Sequence, residues 1–355
     1  MSKKDRIFLE VIVGLILITA AFYFFVEPQR KSMWSAERVD IDSGRREVMG
    51  TFARIIAVAA DSNTAKSCIE AAFAEITKVD EVMSDYKDDS EISEVNRDGF
   101  KRAVRVSEST YQVLERSVEF SRRTGGAFDV TVGPLVDLWH LAETANVLPS
   151  EAELQRACSK VGYGLLILDA NEMSVRFAVE GMRVDLGGIG KGYAIDRAVE
   201  AMQKAGALGG MVEIGGDIRC FGAPPVGKER WRIGLQDSRR VDEDISEGKV
   251  LLVLELTDAA VATSGNYQRF AVIQGRRYSH ILDAKTGLTS EELTSVTVIS
   301  QDALEADALA TAVSMMGTDA GLALIEKTPQ AEAILITAPP EYKLIKTTGA
   351  EKFIE

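Results

Sequence analysis

Residues 182–202 read MRVDLGGIGKGYAIDRAVEAM, and this order of residues decides how the surrounding chain folds. The pattern predicts a short apolar strand at 182–186, a loop with four glycines and one lysine, and then a helix. Glycine lets the main chain approach a ligand closely, and the N-terminus of a helix favours an anion. The stretch therefore predicts a phosphate or nucleotide site, although a tight turn without a ligand would use the same residues.

Two familiar nucleotide motifs do not match this loop. A Walker loop requires glycine six residues before its lysine and serine or threonine directly after it, but these places hold Asp185 and Gly192. A dinucleotide fingerprint requires G-x-G-x-x-G, and the spacing after Gly190 does not supply it. The loop therefore belongs to another class.

Further short motifs lie before and after the loop. They are MGT (49–51), SDY (84–86), SEIS (90–93) with Asn96, TGGAFDVTVGPL (124–135), EIGGD (213–217), TSGNY (263–267), HILD (280–283) and DALAT (307–311). In this order, together with the glycine loop, they make residues 46–340 similar to the ApbE family of FAD:protein FMN transferases. Each motif alone is weak, and the ordered set carries the resemblance.

Composition limits the possible partners and metals. The net charge of −13 and a pI near 4.9 argue against a nucleic-acid partner, because phosphate backbones are bound by basic surfaces. The three cysteines are far apart and there are only two histidines, which excludes zinc ribbons and polyhistidine metal sites. Any metal must therefore be held by oxygen atoms, which favours a hard cation such as Mg²⁺ or Ca²⁺.

The N-terminal region predicts a membrane anchor. Residues 7–26 form an apolar run long enough to span a bilayer, and the basic residues within 1–6 place that end in the cytoplasm. A cleaved signal peptide is the alternative. Residues 27–45 are predicted to be a linker, 46–340 the flavin transferase domain and 341–355 a C-terminal tail. The domain is expected on the periplasmic side of the inner membrane.

Hairpins that alternate with long helices predict an α+β fold with mostly antiparallel sheets rather than a doubly wound parallel sheet. Helices are predicted at about 64–83, 107–123 and from Ser150 onward, the last with a capping box formed with Glu153. Two more are predicted at 302–316 and 318–327, separated by Gly317.

Asp307 and Thr311 lie four residues apart on a predicted helix, so their oxygen atoms share one side. They are either a solvated polar pair or the ligands of a cation, because the helix around them is rich in alanine and leucine and a carboxylate there is costly without a partner. The resemblance implies that both bind Mg²⁺, together with a backbone carbonyl of the glycine turn at Gly188.

The resemblance also implies an FAD site. Its residues would be Met49, Tyr86, Ala127, Phe128, Asp129, Asp185, Lys191, Ser264 and Ile281. Each has an ordinary structural alternative: Asp185 could cap its turn, Phe128 could be core, and Tyr86 could be a half-buried anchor. Lys191 at a helix start is disfavoured by the helix dipole unless an anion lies nearby.

His280 is the histidine that falls inside a family motif, so a role as general acid or base, or in orienting the substrate, is expected for it. Its catalytic partner in the site would be Asp307. His140, between Trp139 and Leu141, is expected to be structural. The usual family residue at the place of Ala284 is proline, so the turn there is looser in this chain.

The resemblance implies transfer of the FMN part of FAD to a threonine or serine hydroxyl of an acceptor protein, with release of AMP. The expected acceptor is a subunit of a membrane or extracytoplasmic redox complex. Two alternatives stay open: a pyrophosphatase that cleaves FAD to FMN and AMP, and a non-catalytic FAD-binding protein.

Overall fold

The computed structural model describes residues 38–240, 250–265 and 270–355. The predicted membrane segment at 7–26 lies outside the described residues. Within them the fold is α+β with antiparallel sheets and packed helices, as the sequence predicted.

An eight-stranded sheet, in which every neighbouring pair is antiparallel, forms the centre of the domain. In spatial order its strands are β1 (Val39–Val48), β2 (Thr51–Ala59), β6 (Gly209–Ile214), β7 (Asp217–Gly222), β10 (Ala259–Gly265), β13 (Leu293–Ser300), β14 (Glu332–Thr337) and β15 (Leu344–Lys346). A three-stranded sheet has the order β3 (Val104–Arg105), β5 (Ser174–Phe177) and β4 (Leu166–Asp169). One two-stranded sheet pairs β8 (Trp231–Gln236) with β9 (Val250–Leu256), and another pairs β11 (Phe270–Ile273) with β12 (Arg276–Ser279).

Several of the helices begin at a residue whose side chain caps the first turn. The helices are α1 (Ser62–Met83), α2 (Glu91–Asp98), α3 (Glu108–Arg123), α4 (Gly133–Ala145), α5 (Glu151–Cys158), α6 (Gly190–Lys204) and α7 (Ala303–Ile325). Asp61 caps α1, Ser107 caps α3, and Ser150 forms the predicted capping box with Glu153 at α5. Side-chain oxygens at these positions accept from backbone N–H groups that lack a helical partner.

The central sheet is covered on both faces. Helices α1, α6 and α7 pack on one face, where the largest hydrophobic core lies. On the other face, a second cluster that includes Trp231 and Leu254 of the β8–β9 hairpin packs against Val261 and Ile299 of the sheet. Since both faces are buried, β13 in the middle has eight buried residues in succession.

Helix α7 is long and apolar enough to cross a membrane by length and composition, but half of that stretch is buried inside the protein. It packs against β10, β13 and α6. Its composition is therefore that of a core helix. Gly317 has φ 76° and ψ −173° inside it, so the predicted break between two helices is confirmed.

Three boundaries differ from the sequence-based expectations. Residues 39–45 of the predicted linker belong to β1, an edge strand whose polar residues and bulge after Asp42 obscure its pattern. The predicted tail contains β15, and Ala350 is buried. Residues 182–186 do not form a strand: Arg183 makes one isolated bridge to Val132, and the backbone of Val184 bonds to the Asn96 side chain instead.

A close approach between α6 and α7 requires glycine at position 192. A Cβ atom on Gly192 would lie 2.3 Å from the carbonyl oxygen of Ala303 and 2.7 Å from the Cα of Leu304. These are backbone atoms at the start of α7, so they cannot move aside as a flexible side chain would. The contact fixes the first turn of α6 against α7.

Gly192→Ala is expected to destabilise the protein by about 1–3 kcal/mol, because overpacking forces the two helices apart. Gly190→Ala is the matched control in the same turn, since a Cβ there would meet its nearest neighbour, the Cβ of Leu186, at an ordinary 3.7 Å. Denaturant unfolding of both variants gives the comparison. Equal stability of the two variants would contradict the packing argument.

Candidate functional site

A cleft of about 570 Å³ opens beside the start of α6. Its walls come from segments far apart in sequence: the loop after α3, the glycine loop, the end of β10, helix α4 and the residues after β12. Most predicted site residues line it: Tyr86, Ala127, Phe128, Asp129, Asp185, Gly188, Lys191, Ser264, His280, Ile281, Asp307 and Thr311. The structure therefore gathers twelve of the thirteen predicted residues around one space.

Met49 is the exception. It lies in the β1–β2 turn with φ 48°, and its partly buried side chain packs against the main core. Among the described residues of this turn, Thr51 lines the cleft and Met49 does not. The structure thus does not place Met49 at the cleft.

Lys191 and Asp307 line the polar end of the cleft, and the buried Asp217 contacts Lys191 from outside this lining. Asp307 is 3% exposed and Asp217 is 2% exposed. The Nζ of Lys191 lies 3.0 Å from Oδ2 of Asp217 and 3.4 and 3.5 Å from the two carboxylate oxygens of Asp307. The backbone N–H of Gly192 donates to Oδ2 of Asp307 at 3.1 Å. The close approach of α6 to α7 therefore supplies both partners of Asp307.

Asp217 was absent from the predicted site, although its motif EIGGD was noted. It begins β7, and its Oδ1 accepts from the backbone N–H of Thr263 at 3.0 Å. Burial raises its pKa to about 6; Lys191 opposes this rise and Asp307 adds to it. The sequence signal that could have indicated Asp217 is its position directly after two glycines.

A second carboxylate, partly buried, joins the same two helices. Asp196 of α6 accepts from the backbone N–H groups of Ala303 and Leu304 at 2.9 Å each, and Arg219 of β7 donates to it at 2.6 Å. Burial raises the pKa of Asp196 to about 6, while Arg219 opposes the rise. Asp196 thus satisfies amides at the start of α7 and holds that helix against α6.

The oxygen atoms around Thr311 fit a hard cation. Thr311 lies one turn after Asp307, and its Oγ1 is 3.5 Å from the Oγ of Ser264. A Cβ on Gly188 would lie only 3.0 Å from Thr311 Oγ1, so glycine keeps this space open. No group of three or more His, Cys, Asp or Glu side chains suited to a metal occurs in the described part of the chain. The donor set is thus one carboxylate with neutral oxygens, as Mg²⁺ accepts when substrate phosphates complete its shell.

Four backbone amides of the glycine loop already have acceptors within the protein. The N–H of Gly187 donates to Oδ1 of Asp185, those of Ile189 and Gly190 to the carbonyl of Leu186, and that of Gly192 to Asp307. The glycines instead permit close packing. The loop amides stabilise the turn itself and donate to the buried carboxylate of Asp307.

Asp185 combines two of the expected roles. Its Oδ1 caps the turn at 2.7 Å from the Gly187 nitrogen, and its side chain lines the cleft. Burial raises its pKa. Its backbone N–H donates to Val130, so the loop after α3 and the glycine loop are joined.

Asn96 of α2 fixes the segment that enters the glycine loop. Its Oδ1 accepts from the backbone N–H of Val184 at 2.7 Å, and its Nδ2 donates to the carbonyl of the same residue at 2.9 Å. One amide side chain therefore acts as a strand partner for a residue 88 positions away.

Asp129 is held by the protein itself. Its Oδ1 accepts from the backbone N–H and the hydroxyl of Thr131, and its Oδ2 accepts from the backbone N–H of Tyr163. Burial raises its pKa, and these hydrogen bonds oppose the rise. Its main structural effect is to shape the loop that carries Ala127 and Phe128. Phe128 is buried, with its ring edge on Phe120.

The mouth of the cleft carries exposed and charged groups. Tyr86 is 83% exposed, so the half-buried alternative is wrong. Beside it, Arg183 donates to Asp85 at 2.8 Å and to Asp137 at 2.6 Å. Arg183 thereby ties α4 to the segment after α1.

Both histidines lie at the cleft. His280 is exposed beside the buried Ile281, after β12. His140 of α4 is also exposed and lines the cleft, a position that the sequence did not indicate. The neighbouring Trp139 is the buried residue of that turn, and its indole N–H donates to the carbonyl of Gly287 at 2.9 Å.

The chain is similar to known proteins over most of its length. A family model described as "ApbE family" matches residues 49–335. An FAD:protein FMN transferase from Vibrio cholerae is 33% identical over 302 residues, which cover 83% of this chain and 86% of the relative. One from Escherichia coli is 28% identical over 340 residues, covering 92% and 95%.

Solved structures show the same fold. The crystal structure of the ApbE protein from Thermotoga maritima matches with a TM-score of 0.79 and 33% identity, covering 90% of this chain and 99% of that one. The flavin transferase ApbE from Vibrio cholerae matches with a TM-score of 0.76 and 32% identity over the same shares.

Asn96→Asp is expected to destabilise the protein by about 1–3 kcal/mol, because a carboxylate cannot donate to the carbonyl of Val184. FAD affinity should fall as well, since the same segment leads into Asp185 and the glycine loop. Asn63→Asp, in the exposed first turn of α1, makes the same chemical change where negative charge is tolerated. Thermal melting and FAD titration of both variants are the measurements. An Asn96→Asp protein as stable as Asn63→Asp would contradict this role.

Proposed function

The chain belongs to the ApbE family and is an enzyme of the FAD:protein FMN transferase class, and we propose that it moves the FMN part of FAD to a threonine or serine hydroxyl of an acceptor protein. AMP is the other product. The observation that carries the proposal is the meeting of Asp307, Thr311, Gly188 and Lys191 at one end of a cleft with an apolar wall. Such a cleft suits a pyrophosphate joined to a ring system.

The charged end of the cleft meets the demand of phosphoryl transfer, which is positioning and neutralisation of negative charge. Asp307, the hydroxyl of Thr311 and the backbone carbonyl of Gly188 would hold Mg²⁺. When bound, Mg²⁺ neutralises charge on the phosphate oxygens as a Lewis acid. Lys191 adds a positive point charge for the same anion. The bound anion would in turn offset the unfavourable interaction of a lysine with the helix dipole in the first turn of α6.

The apolar wall suits the flavin ring. Phe128, Trp139 and Ile281 line the cleft and are buried, while Tyr86 offers an exposed aromatic face at the mouth. Aromatic and aliphatic side chains of this kind bury a planar ring system and exclude water from it. The flavin would therefore lie along this wall, with its phosphate directed to Lys191.

In the reaction, the acceptor hydroxyl oxygen attacks the FMN phosphorus of FAD. A new P–O bond forms to FMN, the P–O bond to AMP breaks, and AMP leaves with the bonding electrons. The hydroxyl proton must go to a base, and His280 is our assignment because it is exposed on the cleft, where the acceptor enters. The same bond cleavage with water as nucleophile would make a pyrophosphatase.

One experiment separates the three functions. The protein is incubated with FAD, Mg²⁺ and a candidate acceptor, and the mixture is assayed for AMP and for in-gel flavin fluorescence. Covalent fluorescence with AMP identifies a transferase, AMP without it a hydrolase, and neither product a binding protein. We expect the first result.

The acceptor and location complete the proposal. We propose an acceptor flavoprotein subunit of an extracytoplasmic or membrane redox complex. The domain would lie on the periplasmic side of the inner membrane, anchored by residues 7–26. The support is the apolar run preceded by basic residues.

Asp307→Asn is expected to reduce Mg²⁺-dependent flavin transfer by at least about 100-fold, because an amide holds a hard dication poorly. The fold should persist, since the Asn oxygen can still accept from the Gly192 amide. Asp302→Asn is the control on the same helix: it caps α7, and Asn caps as well as Asp does. Transfer rate against Mg²⁺ concentration, with thermal melting, tests both variants. Near-normal transfer by a folded Asp307→Asn protein would contradict the proposal that Asp307 holds Mg²⁺.

His280→Gln is expected to slow transfer by about 100-fold or more at saturating FAD, with FAD affinity little changed, since a general base contributes about that much. His140→Gln is the matched control, because His140 is also exposed on the cleft. Single-turnover transfer and FAD titration give the two quantities. Equal losses in both variants would mean that His280 has no special role.

A further inference from the structure

Lys191, at the polar end of the cleft, lies between two buried carboxylates, of which Asp307 lines the cleft. Lys191 lies 3.0 Å from Asp217 and 3.4 Å from Asp307, and both carboxylates are almost completely buried. The three side chains together carry one net negative charge when both acids are ionised. A buried cluster of this kind is costly unless another cation joins it, so it favours binding of one.

The two carboxylates differ in what else they bind. Asp217 accepts from the Thr263 amide through Oδ1, and its Oδ2 faces Lys191. Asp307 accepts from the Gly192 amide, and it stands one turn before Thr311 in the proposed metal site. The ammonium group of Lys191 and a metal ion would therefore both need the oxygens of Asp307. Of the two carboxylates, Asp217 is the nearer to the ammonium group.

We propose that Asp217 is a positioning residue that holds Lys191 back from Asp307, and that Lys191 competes with the divalent cation for the Asp307 carboxylate. This inference rests on the metal site of the proposed function. It assigns Asp217 a function in setting the affinity for the cation. With the cation bound, Lys191 keeps Asp217 as its partner and directs its remaining N–H donors to the phosphates.

The sign of the effect can be derived from the charges. In Asp217→Asn, Lys191 keeps its contact with Asp307, so competition increases and the net charge of the cluster falls to zero. Adding Lys191→Met removes the competitor and restores the net charge of −1. The single and double variants should therefore change cation affinity in opposite directions.

The experiment measures binding of Mn²⁺ alone to the full-length chain without FAD, by the EPR signal of free Mn²⁺. For Asp217→Asn we expect the Kd to rise about tenfold, because a full positive charge then competes directly for Asp307. For Lys191→Met/Asp217→Asn we expect a Kd several-fold below the wild-type value, although the net charge is the same. Lys191→Met alone should also bind more tightly, and it serves as the second variant if Asp217→Asn does not fold.

The possible results separate this inference from the proposed function. If the double variant or Lys191→Met has a Kd at or above the wild-type value, Lys191 does not compete with the cation for Asp307. An Asp217→Asn protein that is folded by thermal melting and has the wild-type Kd overturns the positioning role. Asp307→Asn must bind Mn²⁺ far more weakly than wild type. If Asp307→Asn and wild type bind Mn²⁺ equally, or neither binds it, the metal site itself fails.

Discussion

The buried carboxylate of Asp307 is the constraint on which the arrangement of the cleft depends. It lies on an apolar helix, and a charge in such a place must be compensated by donors or cations. The first turn of α6 supplies them through the amide of Gly192 and the ammonium group of Lys191. Only a residue without a side chain at position 192 lets α6 approach α7 closely enough for these contacts. The site therefore depends on the helix contact, and the helix contact depends on the glycine.

The rest of the cleft follows from holding the start of α6 in that place. In the segment before it, Val184 bonds to the side chain of Asn96, and Asp185 bonds to the backbone of Val130. These bonds bring the loop after α3, with Phe128, against Gly188. The apolar wall and the charged end are therefore adjacent because the same short segment, 184–192, contacts both. A change that only loosens this segment would affect ring binding and phosphate binding together.

Local features were predictable from sequence, and features that depend on distant contacts were not. The capping box of Ser150 and Glu153 was predicted correctly because capping is decided within four residues. The shared side of Asp307 and Thr311 follows from helical periodicity. Asp217 and Asn96 act on residues 46 and 88 positions away, and no local pattern encodes such pairs.

Strand β1 was missed because an edge strand with polar residues lacks the alternation of a half-buried strand. Residues 182–186 show the converse error, since an apolar run can be buried without a strand beside it.

The charge of the whole protein also bears on the site. A chain with a net charge of −13 would repel an anionic dinucleotide if its charge were spread evenly. Several acidic residues in or beside the cleft are instead paired with cations: Arg183 bonds to Asp85 and Asp137, and Lys191 lies between Asp217 and Asp307. What remains at the charged end is a small excess of negative charge, which one divalent cation converts to a positive one. In the proposed reaction the pyrophosphate would thus be attracted only after the cation is in place. An acidic protein can in this way bind an anionic substrate, because the attraction is created locally by metal binding rather than by the surface as a whole.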